Sequence, residues 1–357
     1  MSKNALVING GISRGAFAVG VIHKLFEIHP QVQFDILVGT GAGSLITPFV
    51  ALGESEPLVE IFTTKNNKDI VRKFALADRL HESSILDAGP FWGLLDQYYT
   101  HNLYNRLQQT KKELFFNTYC LQTHELTVFS DKIREDLEGR FAFRTFNNYD
   151  QFLRTLMACS CQPLLMPPIT IHPTETPIRQ YIDAGDREFT AIELAIAAGA
   201  TDVYVILMSP PGPVRNDNEY QDLYSILQQT LEIFIADGND NQHIGPHVYN
   251  EGLRYIQAVK QKMLAGGIPQ VLINEWFDPA MPANPFYKKE PVNIHVVRPE
   301  HHLGGGPDGL SFDPALMREM LAQGESATLN WFTRHAAMLA AKAAASAAAQ
   351  AATAATI

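Results

Sequence analysis

The sequence predicts an α/β fold in which a mostly parallel sheet is covered by helices. Twice near the N-terminus a short apolar strand runs into a glycine turn and then into a helix. That order builds parallel sheets, because the helix carries the chain back to start the next strand alongside. The same order returns at residues 181–208, and Val292–Val297 reads as one late strand.

Ala5–Asn9 is the first strand and Gly10-Gly11-Ile12-Ser13-Arg14-Gly15 the first turn. Residues 16–28 have helical spacing, with Phe17, Val21, Leu25 and Ile28 on one stripe. Phe34–Val38 is the second strand, followed by Gly39-Thr40-Gly41-Ala42-Gly43 and a helix from Ser44 onward. Residues 54–150 read as mostly helical, with a strand pair at Asn117–Leu121 and Leu126–Ser130. Tyr181-Ile182-Asp183 is a strand, Ile192–Ala198 a helix and Val203–Met208 a strand; the proline-rich stretch Ser209–Pro213 is a loop. Helices are expected at 217–236 and 247–265. From Arg334 on, alanine dominates and predicts a surface helix that frays into a tail. The expected organisation is one domain over 1–330, with a motif-bearing core at 5–208 and helical additions at 54–150 and 213–265, then the alanine-rich 331–357.

The 357 residues suffice for a sizeable core. A formal charge of −10 argues against nucleic acid, which needs a net basic face, and against strong electrostatic attachment to anionic lipid. Three cysteines, at 120, 159 and 161, form no metal pattern and leave an odd thiol, which fits a reducing compartment. No apolar leader or membrane-length apolar run is present, so the expectation is a cytoplasmic protein that meets membranes only peripherally.

The candidate chemistry lies in three separated segments. Gly39–Gly43 has the Gly-x-Nuc-x-Gly form of a nucleophile elbow, in which a strained central residue presents its side chain at the head of the sheet. Here the centre is Gly41, which has no side chain. The Gly10-Gly11 turn before a helix would offer backbone N–H groups to a developing oxyanion, and Arg14 would steady that loop or add positive potential. Asp183, at a strand end before Ala184-Gly185, is placed to orient a nucleophile and take its proton, or to cap a turn. Nucleotide binding is the rival reading of Gly39–Gly43. However, Ser44 stands where the dinucleotide fingerprint has its last glycine, and Glu60 falls in a helical stretch.

Taken in order, Gly-Gly-x-x-Arg-Gly at 10–15, the elbow at 39–43 and Asp-Ala-Gly at 183–185 resemble the patatin-like phospholipase family. The likeness extends to Phe34–Thr40, Cys159-Ser160-Cys161-Gln162-Pro163 and Arg187-Glu188-Phe189-Thr190. It implies a three-layer α/β/α fold and hydrolysis of phospholipid or other acyl-ester lipids by a Ser–Asp dyad, with no catalytic histidine, metal or cofactor. By position it makes Asp183 the base and Gly41 the occupant of the nucleophile's place. The oxyanion hole falls to Gly10, Gly11 and Ile12, with Arg14, Gly15, Gly39, Gly43 and Gly185 in support.

Two departures stand out. Ile12 replaces a glycine, and Gly41 replaces the serine. Two explanations of Gly41 stay open: a substitution that disables a hydrolase, or a natural pseudoenzyme that binds lipid or acyl ligands without cleaving them. Ser44 is expected to cap a helix rather than to substitute as nucleophile, and Ser13 and Ser160 have no elbow to activate them. His301-His302 and Gly304-Gly305-Gly306 read as a polar loop. Gly245-Pro246 is expected to break any helix that would align His243 with His247. The aromatic pairs near 91–99 are read as core, with an acyl pocket as the alternative. Control, if any, is expected from self-assembly or from a small-molecule activator.

Overall fold

The computed structural model describes residues 3–79, 81–185, 188–212, 219–223, 225–227, 229–230, 244–277, 286, 290–306 and 309–354, excepting the side chains of 76–77, 188–190, 244–247 and 335–354. In chain order the elements are β1 (Asn4–Ile8), α1 (Gly15–Ile28), β2 (Ile36–Thr40), α2 (Ala42–Leu52), α3 (Glu56–Thr64), α4 (Asn67–Ile70), β3 (Arg72–Lys73) and β4 (Leu86–Asp87). They continue with α5 (Gly89–Tyr98), α6 (His101–Gln108), β5 (Glu113–Cys120), β6 (Glu125–Ser130), β7 (Ala142–Thr145), α7 (Tyr149–Ser160) and β8 (Tyr181–Asp183). The last are α8 (Glu188–Ala197), β9 (Asp202–Ile206), α9 (Ile244–Ala265), α10 (Gln270–Phe277), β10 (Asn293–Val297) and α11 (Pro314–Ala354).

The main sheet runs β10-β9-β1-β2-β5-β6-β7. Its first five strands are mutually parallel. Strand β6 then turns back antiparallel to β5, and β7 lies parallel to β6. β1 and β2 are apolar and buried on both faces, as a sheet covered on two sides requires. Leu6, Ile8, Leu37, Leu114 and Phe116 face one layer, formed with α1, α2, α7 and α11. Alternate residues Ala5, Val7, Ile36, Val38 and Phe115 face the other layer, with α8. The period-2 alternation of strands thus divides the core into two halves, and the architecture is a mostly parallel sheet between helical layers.

One detail of the sheet positions the site. β2 ends at Thr40, paired with Asn117 of β5. β5 continues to Cys120, and β8 takes the vacated edge, antiparallel, with Asp183 paired to Thr118. Asp183 therefore stands one row beyond the end of β2, where the chain turns at Gly41.

Several expectations need correcting. Residues 54–150 are not mostly helical, because from Glu113 the segment is chiefly sheet, including β7, which no alternation announced. α9 runs through Gly245-Pro246, since a proline in the first helical turn removes only a donor that had no partner. His243 and half of the predicted helix 217–236 lie outside the described residues. Helix α11 begins at Pro314, well before the alanine-rich stretch. Among the described residues no helix is long and apolar enough to cross a membrane.

α1 and α11 cross at a pair of glycines. A Cβ on Gly20 would stand 2.0 Å from the Leu321 carbonyl oxygen, and one on Gly324 would stand 2.0 Å from that of Phe17. Both contacts are with backbone and cannot yield cheaply. Gly20→Ala or Gly324→Ala is expected to destabilise by about 1–3 kcal/mol or more, as overpacking does. Gly93→Ala, in open space on α5, is expected to stabilise by about 0.5–1 kcal/mol from helix propensity alone. Thermal melts of the three variants check the sign difference.

Candidate active site

Two helix beginnings converge on the end of β2. At the first, Gly11 (φ 152°) leads into a single 3-10 turn, Ile12–Arg14, and then α1; Gly11 O accepts from the Arg14 amide at 2.9 Å. At the second, Gly41 (φ 54°, ψ −126°) is the N-cap of α2. Neither start has a side-chain cap. Uncapped amides and the positive end of each helix dipole therefore point toward one place, which favours negative charge there.

The convergence is close. A Cβ built on Gly41 would lie 3.1 Å from Asp183 Oδ2, 3.5 Å from Asp183 Oδ1 and 2.8 Å from Gly10 Cα. A side chain at position 41 would thus emerge directly against the Asp183 carboxylate. The aspartate is held from both sides, its N–H donating to Cys161 O at 2.9 Å and its Oδ1 accepting from the Gly185 N–H at 3.0 Å. Turn-capping and facing position 41 are therefore compatible jobs for one carboxylate.

The supporting glycines are explained by close approach. A Cβ on Gly43 would meet Ile8 O at 2.0 Å, one on Gly39 would meet Ser44 N at 2.7 Å, and one on Gly15 would meet Ala42 Cβ at 2.9 Å. They let α2 lie on β1, let the elbow fold onto its helix, and let α1 pass α2. Ile12 sits at φ 51°, a left-handed conformation that costs a β-branched residue on the order of 1–2 kcal/mol. A glycine at this position would adopt it freely.

The hydroxyls near the site have other partners or surroundings. Ser44 does not cap α2: its N–H donates to Gly41 O at 3.0 Å, and its hydroxyl is buried beside the Cys159 thiol. Ser13 is fully buried, and Ser160 donates to Leu156 O within its own helix at 3.0 Å. Burial pushes the Cys159 and Cys161 thiols up, and the Asp183 charge pushes them further. Neither thiol is a ready nucleophile.

An apolar cleft opens beside Asp183 and Ile12. Its walls are almost wholly apolar, with Leu45, Phe62, Leu95 and Met166 along its length and Lys65 and Tyr98 among its polar members. Phe91 and Tyr99 are both core residues and part of this wall, so the two readings of the aromatic pairs are not exclusive. The Lys65 ammonium lies over the Tyr98 ring, 5.2 Å from its centroid, and Tyr98 pushes its pKa up from the ordinary lysine value; the Tyr98 hydroxyl donates to Glu60 at 2.7 Å.

Sequence reasoning missed several contributors. Asn117 donates to Thr40 Oγ1 at 3.1 Å beneath the elbow. Phe312 and Met317 wall the cavity from the far end of the chain. The loop Gly304-Gly305-Gly306 is more than a polar connection, because Arg14 donates from Nε to Gly304 O at 3.0 Å and from Nη2 to Gly306 O at 3.3 Å. Clustered glycines were the available signal, since backbone meets backbone only where side chains are absent. Arg187 lies outside the described residues. Among the described residues no group of His, Cys, Asp and Glu is placed to hold a metal ion.

A family model described as "Patatin-like phospholipase" matches residues 6–196. The uncharacterized protein L620 of Acanthamoeba polyphaga mimivirus is 24% identical over 159 residues, which cover 43% of this chain and 40% of that protein. The chain thus spans well under half the length of this relative. Among solved structures, VipD from Legionella pneumophila aligns over 94% of this chain and 67% of its own, at 10% identity and a TM-score of 0.38.

Two predictions follow from this geometry. Gly41→Ser is expected to lower the melting temperature, because it adds a side chain against Gly10 Cα and costs on the order of 1–3 kcal/mol of backbone strain; an unchanged melt would contradict the strained placement. In the native protein at pH 8, Cys159 and Cys161 are expected to resist iodoacetamide and to react only on unfolding, as read by peptide mass.

Proposed function

Because the chain belongs to the patatin-like phospholipase family, we propose that it carries the site of a serine lipid acyl hydrolase from which the serine is missing. In the complete reaction a serine at position 41 attacks the ester carbonyl and gives its proton to Asp183. The amides of the Gly10–Ile12 turn hold the oxyanion where charge develops. As the tetrahedral intermediate collapses, the ester C–O bond breaks and Asp183 passes the proton to the departing alcohol, leaving the acyl chain on the serine and along the apolar cavity. Water, giving its proton to Asp183, then attacks the acyl carbon, and the fatty acid leaves as the serine oxygen takes that proton back. No metal or cofactor takes part in this scheme.

The observation that carries the reading is the placement of Asp183. A carboxylate 3.1 Å from the first atom of any side chain at position 41 is positioned for proton transfer from a serine there. With glycine at 41 the chain keeps the acyl cavity and the uncapped helix ends, and it lacks the atom that forms the acyl-enzyme. Its expected behaviour is to bind phospholipid or fatty acyl ligands, at a membrane surface or in solution, and to turn them over no faster than the oxyanion site alone permits.

A second reading has its own support. Gly10 Cα lies 2.8 Å from where a Cβ on Gly41 would stand, so the elbow is packed as a glycine elbow. That favours a pseudoenzyme whose work is ligand binding.

Fatty-acid release from mixed phospholipid vesicles separates the two. The native chain, Gly41→Ser, and Gly41→Ser combined with Asp183→Ala are compared. A hydrolase scaffold predicts release by the single variant at least about 1000-fold above the other two, the scale on which nucleophile and base matter. Silence in all three, with ligand binding retained, establishes the pseudoenzyme reading.

A further inference from the structure

The family match ends at residue 196, yet one wall of the cavity beside Asp183 is made from within residues 304–306 and 309–317. Arg14, next to the glycine turn, donates to the carbonyls of Gly304 and Gly306. Gly309 lies so near the turn that a Cβ on it would stand 2.5 Å from Gly11 O and 3.5 Å from Ile12 Cβ, while a Cβ on Gly305 would stand 2.9 Å from Ser13 Oγ. Downstream, the Phe312 N–H donates to Asn67 Oδ1 at 2.9 Å, and Arg318 donates to Thr63 O at 3.1 Å. The segment is therefore fastened at the start of α1, the end of α3 and the start of α4. Between those fastenings it presents Phe312 and Met317 to the cavity that holds Asp183. Met317 is fully buried core, whereas Phe312 is only partly buried and packs against that core.

We propose that residues 304–306 and 309–317 are a wall of the acyl site: Arg14 latches the glycine loop Gly304–Gly306 onto the Gly10–Ile12 turn, and Phe312 sets the cross-section open to an acyl chain. Phe312 is then a specificity-determining residue and Arg14 a positioning residue. The latch also accounts for Ile12, because a left-handed isoleucine persists only where surrounding contacts over-determine it. Gly309 and the Arg14 bonds supply those contacts. The proposal rests on the reading of the cavity as an acyl site.

The test uses the full native chain and the fluorescent probe 11-(dansylamino)undecanoic acid, displaced by fatty acids of eight to eighteen carbons. Phe312→Ala is expected to shift the ranking toward longer chains and Phe312→Trp toward shorter ones, each by at least about fivefold in relative affinity, with Phe312→Leu within about twofold of native; pocket contacts of this size discriminate on that scale. Arg14→Gln is expected to shift the ranking as Phe312→Ala does and to speed amide exchange at Gly304–Gly306. Simple loss of stability would weaken all chain lengths alike.

An unaltered ranking in the folded Phe312 variants overturns the proposal. Leu94→Trp and Ile61→Trp, at partly exposed cavity positions, separate this from failure of the underlying reading. If they abolish probe binding while Phe312 variants change nothing, the cavity is the acyl site and only the wall assignment falls. If they leave binding intact, or the native chain does not bind the probe, the acyl reading falls and takes the proposal with it.

Discussion

The approach of the Gly10 turn to the Gly41 turn is the constraint on which the site depends. Gly10 Cα lies 2.8 Å from the position of a Cβ at 41, and Asp183 Oδ2 lies 3.1 Å from it. Two backbone turns and a carboxylate can meet so closely only if the residues of the two turns carry no side chain there. The flanking glycines extend the same requirement outward, with Gly43 against Ile8 O and Gly39 against the first turn of α2. The aspartate reaches this place because β5 outlasts β2 and β8 fills the vacated edge. A strand-length mismatch, rather than a designed loop, sets Asp183 opposite the Gly41 turn.

Electrostatics follow from that packing. Helices α1 and α2 both start without a side-chain cap at the convergence point. Their amides and dipoles favour an anion there, while Asp183 supplies a fixed negative charge on the other side of position 41. In the proposed reaction the carboxylate would take the proton of a serine at position 41, and the helix ends would hold the oxyanion formed when that serine attacks an ester carbonyl. The buried thiols of Cys159 and Cys161 feel the same carboxylate and stay neutral. One arrangement therefore favours chemistry at position 41 and suppresses it at the nearest sulfurs.

What was legible in the sequence was whatever local backbone geometry demands. The strands around residues 5–9, 34–38 and 203–208 announce themselves by apolar runs bounded by glycine, and the elbow by a spacing that strain imposes. Asp183 was legible as a carboxylate at a strand end. The cavity wall was not, because Phe312 and Arg318 meet Asn67 and Thr63 only through space, and no periodicity encodes that. The middle segment misled for a related reason. β7 carries Ala142-Phe143-Arg144-Thr145, half-buried at a sheet edge, and such a strand has no apolar alternation to read. Gly304–Gly306 was visible as glycine but not as a latch, since its partner Arg14 lies at the opposite end of the chain.

In the proposed function, position 41, Asp183 and the Gly10–Ile12 turn form one catalytic frame. Its most direct measurement is covalent labelling by a fluorophosphonate, read by intact and peptide mass. Gly41→Ser should take up one phosphonyl group, located at residue 41, and the native chain none. A folded Gly41→Ser protein that stays unlabelled, or a native chain labelled equally well at another residue, would contradict the account.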